Sequence, residues 1–145
     1  TELGTLSKGA PRLITNGRSV EVGTSGGVSP LGTGVSFAGG LLIGLMAGLL
    51  APVSGLLPWS AALPLALIGA LSGAAGSLID SLMGATIQQI YYCDTCQKET
   101  ERSLHRCGTT TRPLRGWAWM HNDMVNLISS LGGGLVAVGL STALL

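Results

Sequence analysis

Between Glu21 and Asp80 the chain runs for 58 residues, 22–79, without a formal charge. A bilayer crossing takes about 20 apolar residues at about 1.5 Å each. The run is therefore too long for one helix and fits two joined by a turn. We expect helices near 34–53 and 61–82, with the stretch APVSGLLPWS, which holds two prolines and no charge, turning the chain between them. A second uncharged run, 124–145, is 22 residues long and predicts a third helix near 125–144. Only 10% of residues are charged, against about 25% in soluble domains. The expected fold class is all-α: a multi-pass transmembrane bundle of about three helices, with a cytoplasmic loop, 88–122, that carries the cysteines. The whole of 1–145 belongs to one membrane domain. The net charge of +1 offers no polybasic surface, so nucleic acid is not an expected partner.

Charge also predicts topology. All eight Lys and Arg fall either before residue 22 or within 88–122, and none falls in the turn between the first two helices. Two crossings return both basic segments to one side, which the positive-inside rule makes cytoplasmic. Tyr91, Tyr92, Trp117 and Trp119 flank the helix ends, as an interfacial aromatic belt would. Gly40, Gly44 and Gly48 recur every fourth residue, as do Gly69 and Gly73, and Ser72 and Gly76. That spacing lets membrane helices approach closely, although general glycine richness would also produce it.

The long run ends on an acid. Lipid cannot solvate Asp80, so the carboxylate must face water, a partner or a ligand. Upstream, GTSGGVSPLGTG (23–34) brings five glycines together with Ser and Thr. Its Ser29-Pro30 pair reads as an N-cap followed by proline at the first helical position. Gly23, Thr24, Gly26, Gly27 and Ser29 would then open onto a helix N-terminus, where backbone N–H groups favour anions. The spacing is neither a P-loop nor a dinucleotide fingerprint, and a flexible lead into a membrane helix is the alternative. The topology sets this loop, Asp80 and Asn122-Asp123 on one membrane face. Asp80 and Asp123 suit a Mg²⁺ shared with substrate phosphate oxygens, while Lys8 and Arg12 suit neutralising phosphate charge. Arg18 fits an anchoring role better. Asn122 or Asp123 is equally readable as a helix cap, and Asn126, one turn on from Asn122, as a site residue or an interhelical bond.

Cys93-x-x-Cys96 and His105-x-Cys107 place four soft ligands within fifteen residues. Such a set suits a tetrahedral structural Zn²⁺ with no open position. The alternative is a group of reduced thiols, since a disulfide is disfavoured on the cytoplasmic side.

Four stretches resemble one family of integral membrane proteins, which includes animal transmembrane protein 19 and plant phytyl-phosphate kinase: SKGAPRLIT (7–15), GTSGGVSPLGT (23–33), GSLIDSLMGAT (76–86) and NDMVNLISS (122–130). Thr1-Glu2-Leu3-Gly4 looks like the tail of the family's acidic motif. The resemblance therefore implies the C-terminal half of a longer protein, with the N-terminal half as its partner. It also implies an isoprenoid-lipid phosphate kinase that takes a phosphoryl group from a nucleoside triphosphate, CTP favoured, with Mg²⁺. The lipid bilayer and an isoprenoid lipid substrate are the other partners. The implied setting is an endomembrane or plastid envelope in a eukaryote, or the plasma membrane in a prokaryote. The cysteine loop varies within the family, which argues against a catalytic zinc. Two other classes compete: an ion- or proton-coupled transporter, and a non-catalytic membrane scaffold whose cysteine loop binds a partner.

Overall fold

The computed structural model describes residues 9–145; Lys8 and the Thr1–Gly4 stretch lie outside the described residues. The chain opens with a short antiparallel pair, β1 (Arg12–Leu13) and β2 (Gly27–Val28), and enters α1 (Pro30–Val53). A 3₁₀ turn (Trp59–Ala61) leads into α2 (Ala62–Thr86), and the chain ends in α3 (Asn122–Leu144). Between α2 and α3 lies a three-stranded antiparallel sheet of β3 (Ile90–Cys93), β4 (Lys98–Thr100) and β5 (Arg112–Arg115), ordered β4-β3-β5.

The helices have the expected number and order, with wider bounds. α1 starts at Pro30 because Ser29 caps it, its Oγ accepting from Gly32 N at 3.1 Å. Helices of 24, 25 and 23 residues are about 34–38 Å long, enough to cross a hydrocarbon core of about 30 Å. All three are apolar enough to span a membrane. Their outward faces carry Leu42, Ile43, Leu49, Leu63, Leu135 and Val138, each more than half exposed, which is stable only against lipid.

The all-α expectation needs correction: the 88–122 segment is a ribbon of three strands, and a second small sheet precedes α1. Two of the expected belt aromatics belong to that ribbon. Tyr92 donates to Gln97 Oε1 at 3.1 Å and lies 4.9 Å beneath the Arg112 guanidinium, so its ring is held by the sheet. Tyr91 pairs within the same strand ladder. Trp117 and Trp119 do stand exposed just before α3, stacked at 5.6 Å, and Trp59 is exposed where the chain enters α2 from the other end of the bundle.

α2 packs against both neighbours through small residues. A Cβ on Gly40 would strike the Gly69 carbonyl, and one on Gly48 would come within 2.8 Å of Ala62 O. On its other side Gly76 and Gly133 face each other, with a Cβ on Gly133 meeting Ser72 O at 3.1 Å. The four-residue spacing in the sequence is therefore a packing seam, with backbones too close for side chains. Toward the ribbon the core changes to Met83, Met120 and Val125, ringed by Ile79, Ile87, Met124 and Ile128.

Candidate functional site: a polar cleft around Asp80

The ribbon end of the bundle is held by polar bonds. Gln89 N donates to Met120 O at 2.8 Å, Trp117 N to Ile87 O at 3.0 Å, and Arg115 Nη1 to the carbonyls of Gly84 and Ala85 at 3.1 and 3.3 Å. The last two satisfy carbonyls that the end of a helix leaves unpaired. The glycine loop is pressed against the same helix end. Gly26 has φ +85°, and a Cβ there would overlap the backbone of Ala85. Only glycine satisfies both constraints. A Cβ on Gly84 would in turn approach Gly26 N at 2.9 Å.

This packing encloses a cleft of about 390 Å³. Gly23 to Ser29 form one wall, continued by Gly32, Thr33 and Ser36 of α1, and Ser77, Asp80, Ser81 and Gly84 of α2 form the other. Asn122 and Asn126 close it from α3, and Gln88 and Glu101 from the ribbon side. Asp80 is half-buried and accepts from Ser129 Oγ at 3.3 Å. It lies six residues before the end of α2, or about 9 Å along the axis. Ser36 Oγ sits 2.9 Å from Ser77 Oγ, joining α1 to α2 just beneath the loop. Ser36, Ser77 and Asp80 also border a second cavity of about 460 Å³, which continues between the helices over Ser72, Gly73 and Gly76 of α2 and Gly133, Gly134 and Ala137 of α3. The carboxylate thus stands where a polar mouth meets a groove floored by small residues.

The structure brings together most of the residues singled out in the sequence. Gly23, Thr24, Gly26, Gly27, Ser29, Asp80, Asn122 and Asn126 all line the cleft. Asp123 does not. It is one position on from Asn122, turned about 100° around the helix, with a side chain 90% exposed and 4.0 Å from His121. Nor does it cap α3, since the N-cap is His121. Arg12 also stays outside, donating to Gly17 O at 3.1 Å within its own turn. Exposed Arg18 accepts from Leu13 N through its carbonyl. Sequence reasoning missed Ser25, Ser36, Ser77, Gln88 and Glu101. Glu101 sits in the charged run KETER, which reads as solvated surface.

The four soft ligands converge. The ligand atoms of Cys93, Cys96, His105 and Cys107 lie within 4.8 Å of one another. Cys93 Sγ and Cys107 Sγ are 3.7 Å apart, close to the roughly 3.8 Å edge of a tetrahedron with 2.3 Å zinc–sulfur arms. All three cysteines are free thiols. Each ligand pair is followed by a residue with positive φ, Gln97 at +53° and Gly108 at +85°, so each forms a tight knuckle. Thr95 Oγ1 and Thr109 Oγ1, 3.1 Å apart, join the two knuckles. The Thr109 hydroxyl, then His105, draw the Cys107 thiol down to about 5, whereas Cys107 and burial push Cys96 up to about 11. Cysteine binds a metal as thiolate, so metal binding to this group releases protons. This Cys₃His group can hold a metal such as zinc, with no position left for a substrate.

A bundle of spanning helices with an acid-bearing cleft at one end defines a multi-pass integral membrane protein. The chain belongs to the DUF92 family of integral membrane proteins, whose model matches residues 1–134. It is similar to Protein PGR of Arabidopsis thaliana, 37% identical over 138 residues, which cover 90% of this chain and 45% of that protein. It is also similar to an uncharacterized membrane protein of Methanocaldococcus jannaschii, 33% identical over 138 residues, 95% of this chain and 43% of the relative. The chain thus spans less than half the length of these curated relatives. No solved structure matches it.

Proposed function

We propose that this chain forms the phosphate-handling part of a membrane-embedded isoprenoid-lipid phosphate kinase, similar in activity to phytyl-phosphate kinase. The observation that carries the reading is the position of Asp80, shared by the polar glycine-walled cleft and the small-residue groove. A prenyl phosphate has the same two-part chemistry: its tail suits the groove and its headgroup the mouth. In the reaction a phosphate oxygen of the lipid attacks the γ-phosphorus of a nucleoside triphosphate, CTP favoured. A P–O–P bond forms, the β–γ bond breaks, and the nucleoside diphosphate leaves. Such transfer depends mainly on positioning and charge neutralisation.

The chain's own groups divide this work. The glycine loop and the start of α1 allow close backbone approach to phosphate. Asn122 and Asn126 supply polar contacts to orient it, and Ser129 fixes the Asp80 carboxylate. The oxygen donors of Asp80 fit a hard divalent cation, so Asp80 would hold Mg²⁺, which when bound neutralises charge on the transferring group. Transfer of label from a nucleotide to phytyl or geranylgeranyl monophosphate, by the full-length protein in detergent or vesicles, tests this reading. Release of inorganic phosphate without a labelled lipid would contradict it.

The ribbon and the glycine loop face the cytoplasm in this reading, or its organellar equivalent, because both basic segments lie at that end. With single cysteines introduced at Arg102 and Ser54, an impermeant thiol reagent added from the cytoplasmic side should modify the first and spare the second. Labelling of Ser54 from that side would reverse the topology.

The Cys₃His group is proposed as a structural zinc site. Purified protein should carry about one zinc per chain by the four-ligand logic, and Cys96→Ser should lose it. Because the bound ligands are thiolates, zinc retention should weaken as the pH falls and protons compete for the sulfurs. Zinc content unchanged by Cys96→Ser or by acid would remove the metal from this loop.

A further inference from the structure

Glu101 connects two parts of the molecule that the sequence keeps far apart. Its Oε1 accepts from Ser25 Oγ at 2.7 Å and from Gln88 Nε2 at 2.9 Å. Ser25 belongs to the glycine loop, 76 residues earlier in the chain, and buried Gln88 follows the end of α2. Both donors line the cleft. Buried Gln88 would lose its carboxylate partner if Glu101 moved away, and an unmet buried amide is costly.

The ribbon holds Glu101 in place. It stands between the two ligand pairs, five residues after Cys96 and four before His105. Its segment is tied across the ribbon, Thr111 N donating to Ser103 O at 3.0 Å and Thr111 Oγ1 to Arg102 O at 2.8 Å. A metal joining the two knuckles would fix both ends of the stretch that presents Glu101. Among the described residues, the contact of Glu101 with Ser25 is the side-chain hydrogen bond that joins the ribbon to the glycine loop, and its contact with Gln88 adds to those of Arg115 with Gly84 and Ala85 at the α2 end.

We propose that Glu101 is a positioning residue, through which the metal-loaded Cys₃His ribbon holds the glycine loop against α2 and sets the shape of the cleft. The proposal rests on the metal-binding and phosphate-handling readings above. Its consequence is that a group outside the cleft, the metal, governs the order of a loop inside it. Among the described residues Glu101 makes no ion pair, and it lies outside the helix seams, so the effect should be confined to residues 23–29 and the residues around Gln88.

Hydrogen exchange on the full-length, zinc-loaded protein tests this without requiring turnover. Glu101→Ala should speed exchange across 23–29 by about tenfold or more, the scale expected when charge-assisted bonds that close a loop are lost. The core of α1 and α2 should exchange as before, and zinc content should stay at that of the wild type. Glu101→Gln keeps a carbonyl acceptor and should restore part of the protection. Removing zinc from the wild-type protein with a strong chelator should loosen the same loop, and chelation of Glu101→Ala should add little, because both act through one connection. If the protein is a kinase, Glu101→Ala raises the nucleotide KM several-fold more than it lowers kcat. Unchanged exchange in 23–29 for Glu101→Ala would overturn the proposal, as would loosening by chelation that is equally large in Glu101→Ala and wild type. Absence of lipid phosphorylation with the exchange pattern intact would refute the kinase reading and leave the role of Glu101 standing.

Discussion

Asp80→Asn should lower phosphoryl transfer by orders of magnitude while leaving the protein folded. Asparagine has nearly the same volume, and its Oδ1 can still accept from Ser129 Oγ, which lies 3.3 Å from the native carboxylate. What disappears is the negative charge. If Asp80 holds the divalent cation that links nucleotide and lipid phosphates, the charge supplies most of its effect, since metal positioning dominates this class of catalysis. Stability should hold or rise slightly, because an ionised carboxylate in a membrane helix carries a desolvation cost that an amide lacks. Activity and detergent thermal melts of the same preparation separate the outcomes. A folded Asp80→Asn protein with wild-type turnover would take Asp80 out of the site, and joint loss of folding and activity would make it a structural link between α2 and α3. Asp123→Asn is the internal comparison: with its side chain 90% exposed and outside the cleft, it should leave turnover within about twofold, as surface substitutions usually do.

The second large effect is on assembly of the bundle. Gly44→Leu should prevent α1 from seating on α2. Even a Cβ at this position would stand 2.8 Å from Ala66 Cα and 2.9 Å from Ala66 O, and would strike the Leu65 carbonyl. Backbone atoms cannot rotate aside, so the helices must separate. Separation costs the whole seam, several kcal/mol beyond the roughly 1–3 kcal/mol of ordinary overpacking. Gly39→Ala, five residues earlier on the same helix, meets nothing within 4 Å and should be neutral or slightly stabilising, since alanine favours helix over glycine by up to about 1 kcal/mol. Thermal melts of both variants in one detergent make the comparison. A Gly44→Leu protein melting with the wild type would show that the α1–α2 contact is looser than the structure has it.

Much of this was legible in the sequence. The uncharged 22–79 run specified two helices and a turn because length and charge suffice for that inference, and the glycine spacing marked the seam because close approach leaves no alternative to small residues. The loop, Asp80, Asn122 and Asn126 were singled out because they stand at the ends of the apolar runs, and the structure gathers them around one cleft. The starts of α1 and α3 were placed late, near 34 and 125 rather than at Pro30 and Asn122, because bilayer length set them, over the Ser29-Pro30 cap in the case of α1. The ribbon was missed because β3 and β5 are four residues each, joined across a long intervening segment, and short strands of this kind leave little periodicity. Asp123 was grouped with Asp80 because sequence adjacency to Asn122 hides a 100° rotation about the helix. Glu101 gave no local signal at all; its role exists only through contacts with Ser25 and Gln88.

In the proposed reaction the Asp80 cleft would transfer a phosphoryl group to a membrane-held prenyl phosphate. Incubating the full-length protein with γ-labelled CTP, Mg²⁺ and phytyl monophosphate in vesicles, and separating the lipids, measures this directly. Labelled phytyl diphosphate should form only with the divalent cation present and should be absent for Asp80→Asn. Label remaining in the nucleotide with folded wild-type protein, or the same yield of labelled lipid from Asp80→Asn, would contradict it.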